Sequence, residues 1–326
     1  MYVSGMKTHA PGCFVALICI VLAACQPPAQ TPSPSYNLID LTGAYEDFYD
    51  RTTDMAEAER VAAFKTEMNA AFPGFYDSAR FSRPDPERYD ARIARSFEQF
   101  PEIRAAYDQT RASFVSTVDP ALAHFVETFP DFEDIGDIYL VHSLGEMDGG
   151  GREINGKPYF VFGADMIAIL HPPGSERPFL QHELFHLYHQ QFFEGCDQVW
   201  CILWREGMAT YVSRALNPDA SDDDLLLEFP EPIPPAVDAN LPLAVCDVTA
   251  RLDSDDFDDL APLFMGGGEK LDGLPLRFAY YVGELTVAEA VKTHDLQALA
   301  HADNVEARTV LDAALANLAA CPPAAD

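Results

Sequence analysis

Positive charge is scarce in this sequence: 21 lysines and arginines stand against 52 aspartates and glutamates over 326 residues, a formal charge of −31. A nucleic-acid partner needs a basic face to neutralise phosphates, so that class of function is excluded. The acidity gathers in runs such as Asp219-Ala-Ser-Asp-Asp-Asp224 and Asp253-Ser-Asp-Asp-Phe-Asp-Asp259, which read as solvated loops and helix ends. Neither run matches the ligand spacing of an EF-hand loop. No C-x-x-C pair occurs either, which sets aside a four-cysteine zinc site. Long apolar runs are missing apart from Cys13–Ala24, and those twelve residues fall short of the ~20 that a spanning helix requires. No internal repeat is present.

What the chain does have is 48% apolar and 11% aromatic residues, a globular composition with room for a large core in one or two domains. The apolar run follows Lys7 and reads as the central segment of a secretory signal. It ends in Leu22-Ala23-Ala24-Cys25, which resembles the bacterial lipobox, whose cysteine is lipidated and becomes the mature N-terminus. The next stretch, Gln26-Pro-Pro-Ala-Gln-Thr-Pro-Ser-Pro-Ser35, has no apolar periodicity and suits a semi-extended tether. The expectation is a signal peptide over 1–24, a tether over 25–36 and a lipid anchor at Cys25. That places the protein in a bacterial cell envelope, on the outer membrane facing the periplasm. Removing Cys13, Cys19 and Cys25 from the seven cysteines leaves Cys196, Cys201, Cys246 and Cys321. Of their three pairings, the short separation of Cys196 and Cys201 favours a local clip, leaving Cys246 to Cys321, and an oxidising compartment permits both.

Helical spacing of apolar residues runs through 56–71, Pro86–Phe100 and Pro101–Phe129, with breaks at Pro73-Gly74 and Pro84. Residues 37–130 therefore read as a helical N-terminal region. Beyond it, Asp137–Leu144 and Pro158–Gly163 are β-rich and flank Gly149-Gly-Gly151, the pattern of a hairpin.

One stretch concentrates chemistry: PFLQHELFHLYHQQF, residues 178–192, holds three of the nine histidines. A turn at Pro172-Pro-Gly174, Ser175 as N-cap, Glu176 in the first turn and Gly195 as the stop frame one helix over 176 to about 194. Residues four apart share a helix face, so His182 and His186 can converge on one ion. Glu183 lies about 100° round the helix from His182, beside the ion rather than on it. In H-E-x-x-H that glutamate takes a proton from the water the metal activates. A catalytic zinc needs a third protein ligand, and Glu206 supplies it from a second helix, Trp204–Leu216, closed by Asn217-Pro218.

With Glu206-Gly207-x-Ala209 placed twenty residues after His186, the pattern resembles the gluzincin metallopeptidases. The resemblance implies an α+β, zincin-like domain over 131–326, with a small sheet, an edge strand and two metal-bearing helices. A helical part would follow. It implies Zn²⁺ on His182, His186 and Glu206, with Glu183 as general base, and small residues Gly207 and Ala209 letting the two helices approach. It departs from the thermolysin-like pattern at Thr210, where an aspartate often orients a histidine. Arg277-Phe-Ala-Tyr-Tyr-Val-Gly283 resembles the tyrosine-bearing helix of gluzincin-like families, which implies Tyr280, with Tyr281 as the alternative, as donor to a developing oxyanion. The strand Tyr159–Phe162 would be the edge that pairs with a substrate backbone. His189 lacks the spacing and the preceding glycine of a third metzincin ligand, and reads as a half-buried polar residue or a support for the ligands. The expected activity is zinc-dependent hydrolysis of a peptide or protein substrate by an anchored lipoprotein. The alternative is a catalytically silent zincin-fold lipoprotein that serves as a binding or envelope-assembly factor.

Overall fold

Asp85 accepts a hydrogen bond from the Arg88 backbone N–H and Pro86 takes the first helical position, so a helix starts there with its cap and its proline in the favoured places. That helix, α3 (Pro86–Thr128), is the longest in the computed structural model, which describes Met1 and residues 35–81, 83–132 and 134–321. The signal segment, Cys25 and most of the proline-rich tether lie outside the described residues. Before α3 come strand β1 (Ser35–Asp40), α1 (Thr42–Arg51) and α2 (Glu57–Ala71). After it come β2 (Asp134–Val141), β3 (Gly151–Ile154), β4 (Lys157–Gly163), α4 (Ala164–Leu170), α5 (Glu176–His189) and α6 (Val199–Leu216). The C-terminal part is helical: α7 (Pro234–Ala239), α8 (Leu241–Arg251), α9 (Phe257–Leu260), a π-helical turn Ala261–Met265, α10 (Ala279–Ala290), α11 (Leu296–Ala300) and α12 (Asn304–Leu318). The class is α+β with a small mixed sheet.

Pro101 does not divide α3 into two helices, as the sequence suggested. A proline inside a helix removes one ladder bond at a cost of about 3 kcal/mol. The buried stripe of Tyr89, Ile93, Phe97, Phe100, Tyr107 and Phe114 runs straight past it, and burying such side chains contributes roughly 1.5–3 kcal/mol each. Burial outweighs the local break.

The sheet order is β1-β2-β4-β3. β2 and β4 are parallel, with Ile138 opposite Phe160 and Val141 opposite Gly163, so they are not the two arms of a hairpin. The hairpin joins β3 to β4, with Ile154 opposite Lys157 across Asn155-Gly156. Both turn residues have positive φ, 53° and 73°, as a two-residue turn of the primed type requires. Tyr159–Phe162 is consequently interior, paired on both sides, and its residues Phe160, Val161 and Phe162 are buried. The edge strands are β1 and β3.

From α3 the helices pack in succession: α3 on α5, α5 on α6, α6 on α10 and α10 on α12. Pro32–Asp326 forms one compact unit, and one hydrophobic cluster runs from Tyr45 to Leu315, so the regions on either side of residue 130 share a core. No helix among the described residues is long and apolar enough to cross a membrane.

Candidate metal centre

α5 and α6 carry the three expected ligands to one point. His182 Nε2 and His186 Nε2 are 3.1 Å apart, and Glu206 Oε2 lies 3.5 Å from the first and 3.3 Å from the second. Ligands 2.0–2.1 Å from a tetrahedral ion stand ~3.3 Å from one another, so this triangle has the edge length that zinc demands. The donor set of two imidazoles and one carboxylate is also that of a catalytic rather than a fully closed site. These residues could hold a metal ion.

Helix α6 begins at Val199, five residues before the expected start, so Glu206 is not an exposed glutamate opening a helix. It sits two turns in and is buried. Burial alone would raise its pKa, but the charge of His186 and hydrogen bonds from both imidazoles hold it well below the ordinary value. His186 answers in the opposite sense: burial disfavours its charged form, and Glu206 more than restores it. The ring's other nitrogen, Nδ1, is buried without a partner among the described residues. Ser175 does not cap α5 with its side chain; its hydroxyl donates to the Pro172 carbonyl at 2.7 Å.

Glu183 lines the same cavity, ≈ 610 Å³ in volume, as the three donors. Its carboxyl is raised above the usual value, chiefly by burial, with His186 and His182 pulling it back. A Cβ built on Gly150 would stand 3.3 Å from Glu183 Oε2, so the glycine-rich segment after β2 is the wall that faces this carboxylate rather than the turn of a hairpin. At the start of that segment Asp148 Oδ2 is 2.9 Å from His171 Nε2.

Tyr280 lines the cavity and Tyr281 does not; the Tyr281 hydroxyl donates to Asp238 at 3.3 Å. Burial and the nearby charge of Glu206 push the Tyr280 phenol above its usual value, so it is a protonated donor at neutral pH. His189 is 1% exposed and its ring stacks on Phe193 at 4.9 Å. Burial, with repulsion from His186 and Arg205, lowers it to about 3, so it is a neutral core histidine.

Gly207 does not serve the approach of α6 to α5. A Cβ there would lie 2.5 Å from the Gly283 carbonyl carbon, and one on Gly283 would lie 2.8 Å from Gly207 Cα. The two glycines let the backbones of α6 and α10 touch, which sets Tyr280 beside Glu206. Both cysteine pairs expected from the sequence, Cys196–Cys201 and Cys246–Cys321, stand at disulfide distance. The sequence reading passed over Asp148, His171, Arg152 and Arg277, all on the cavity wall. Three of them adjoin signals already visible: Asp148 and Arg152 flank the triple glycine, and Arg277 opens the tyrosine motif. Comparison with known protein families, curated proteins and solved structures finds no match, so the site's geometry carries the functional reading.

Proposed function

We propose that this protein is a zinc-dependent peptide hydrolase of the gluzincin type, exported and anchored through Cys25. The observation that carries the proposal is the triangle of His182, His186 and Glu206 at zinc-ligand spacing, with Glu183 in the same cavity. When bound, Zn²⁺ supplies Lewis acidity, acidifying water and polarising a carbonyl. The chain's own part is to place the proton acceptor and the donor. Glu183 is not one of the three ligands, so it is free to take a proton from water and pass it to the departing amide nitrogen. Tyr280, across the cavity, presents its hydroxyl to the oxygen on which negative charge develops. The free edge of β3, which runs out of the glycine-rich wall, offers backbone groups to an extended peptide.

The test pairs metal content with turnover. Purified wild type should carry about one zinc per chain, and alanine at His182, His186 or Glu206 should remove most of it. Glu183→Gln should keep the zinc and lose at least about two orders of magnitude in rate on a broad peptide library. Zinc that survives Glu206→Ala, or undiminished hydrolysis by Glu183→Gln, would refute the assignment.

A further inference from the structure

Two of the arginines on the walls around the three donors have no ion-pair partner among the described residues, in a protein of formal charge −31. Arg277 lies on the wall formed by the start of α10 and the π-helical turn. Its backbone stands at φ 66°, a strained conformation for a non-glycine residue, and its N–H donates to the Pro262 carbonyl at 2.8 Å. The guanidinium sits 4.8 Å from the Tyr280 ring centroid, and Nη1 donates to the carbonyls of Phe229 at 2.9 Å and Leu226 at 3.3 Å. All of these partners are neutral. Arg152, also on the cavity lining, donates from Nη1 to the Gly151 carbonyl at 2.7 Å. A Cβ on Gly150 would stand 3.4 Å from Arg152 Nη1, on the spot that Glu183 Oε2 also borders.

Among the described residues, neither arginine has a carboxylate within ion-pair distance, whereas Arg214, Arg251 and Arg308 are each paired with two. Of the cavity's four acids three are engaged elsewhere, and the fourth, Glu183, borders the same spot as Arg152 Nη1 without reaching ion-pair distance. Asp148 bonds His171, Asp224 accepts from the Ser221 N–H and hydroxyl at 2.8 and 2.7 Å, and Glu206 completes the triangle. At physiological ionic strength charges beyond ~8 Å are screened, so the local charge rather than the overall −31 governs what settles in the cavity. A guanidinium presents two parallel donors that match a carboxylate.

We propose that the cavity selects peptides bearing a carboxylate near the bond offered to the metal site, with Arg277 and Arg152 as the specificity-determining residues. The carboxylate is either an acidic side chain or a free C-terminus. This inference rests on the peptide-hydrolase reading, and binding rather than turnover tests it. The probes are Ac-Ala-Ala-Asp-Ala-Ala-amide, its Asn counterpart, and acetyl-pentaalanine as free acid and as amide. They are titrated by calorimetry into the zinc-loaded full chain carrying Glu183→Gln, with the peptide mass checked afterwards. At least one acid should bind about ten-fold or more tighter than its neutral isostere, and the Asp and free-acid arms tell the two sources apart. The preference should fall with added salt, shrink to less than about three-fold in Arg277→Gln, and weaken in Arg152→Gln while the neutral probes change little. If Arg277→Gln fails to fold by circular dichroism, Arg277→Met, which removes the charge and keeps the apolar stem over the Tyr280 ring, and Arg152→Gln take its place. Equal binding of acid and neutral probes, no binding of any probe, or an undiminished preference in both arginine variants overturns the inference. Cleavage of the probes by Glu183→Gln would instead count against the hydrolytic mechanism.

Discussion

Asp148 shows how one residue ties the candidate metal cavity to the stability of the fold. Burial would raise its carboxyl, yet the hydrogen bond and charge of His171, together with backbone N–H groups, hold it below the ordinary value. A carboxylate whose pKa is lowered on folding stabilises the native state above its unfolded pKa, near 3.9, and loses that contribution as the pH falls through the lower folded value. Asp148→Asn should therefore be less stable than wild type at pH 5–7, by up to a few kcal/mol for loss of a half-buried charged partner, and the gap should close below about pH 4. Urea unfolding at several pH values measures this, and a gap independent of pH would show that the ion pair is not the source. His182, Glu183 and His186 could be read directly from the sequence, because a four-residue spacing dictates a shared helix face whatever surrounds it. Asp148 and Arg277 could not, since nothing local distinguishes a cavity wall from a turn.

At the scale of elements, the contact between α6 and α10 fixes the distance from proposed metal ligand to proposed oxyanion donor. Alanine is favoured over glycine inside a helix by up to ~1 kcal/mol. A Cβ on Gly207 or Gly283, however, would stand less than 3 Å from the partner backbone, which no side-chain movement can relieve. Gly207→Ala and Gly283→Ala should each lower stability by about 1–3 kcal/mol in denaturant unfolding. Hydrolysis should fall through displacement of Tyr280 while zinc content holds. A variant as stable as wild type would mean that the helices pass farther apart than described. The sequence marked Gly207 as small but could not say which neighbour it admits, because a helix surface does not record its partner. The same gap explains the strands. Asn155-Gly156 was the stronger turn signal, but Gly149-Gly-Gly151 lay midway between the two obvious β-runs and drew the hairpin to itself. Pro101 was read by its local rule, and the aromatic stripe that overrides it acts only once the core exists.

For the whole molecule, the lipobox-like Leu22-Ala-Ala-Cys25 yields a prediction that is independent of the metal site. Cys25→Ser should move the protein out of the membrane fraction or leave an uncleaved precursor, as read by fractionation and intact mass; unchanged partition and mass would exclude the anchor. The part of the fold least visible in the sequence was β1. Six residues directly after a proline-rich stretch carry little pattern, and their partner β2 begins about a hundred residues later. That pairing orders events in time. Ser35–Asp40 is synthesised well before Ile138–Leu140, so its backbone groups have no β2 partner until that later segment follows. Closing so long a loop is an entropic penalty met before the sheet returns anything, which makes the parallel pairing a slow step. In pulse-labelled hydrogen exchange the amides of Leu38 and Ile39 should gain protection after those of α3. Until they do, the chain carries a bare strand, and a chaperone or a second emerging copy would meet it first.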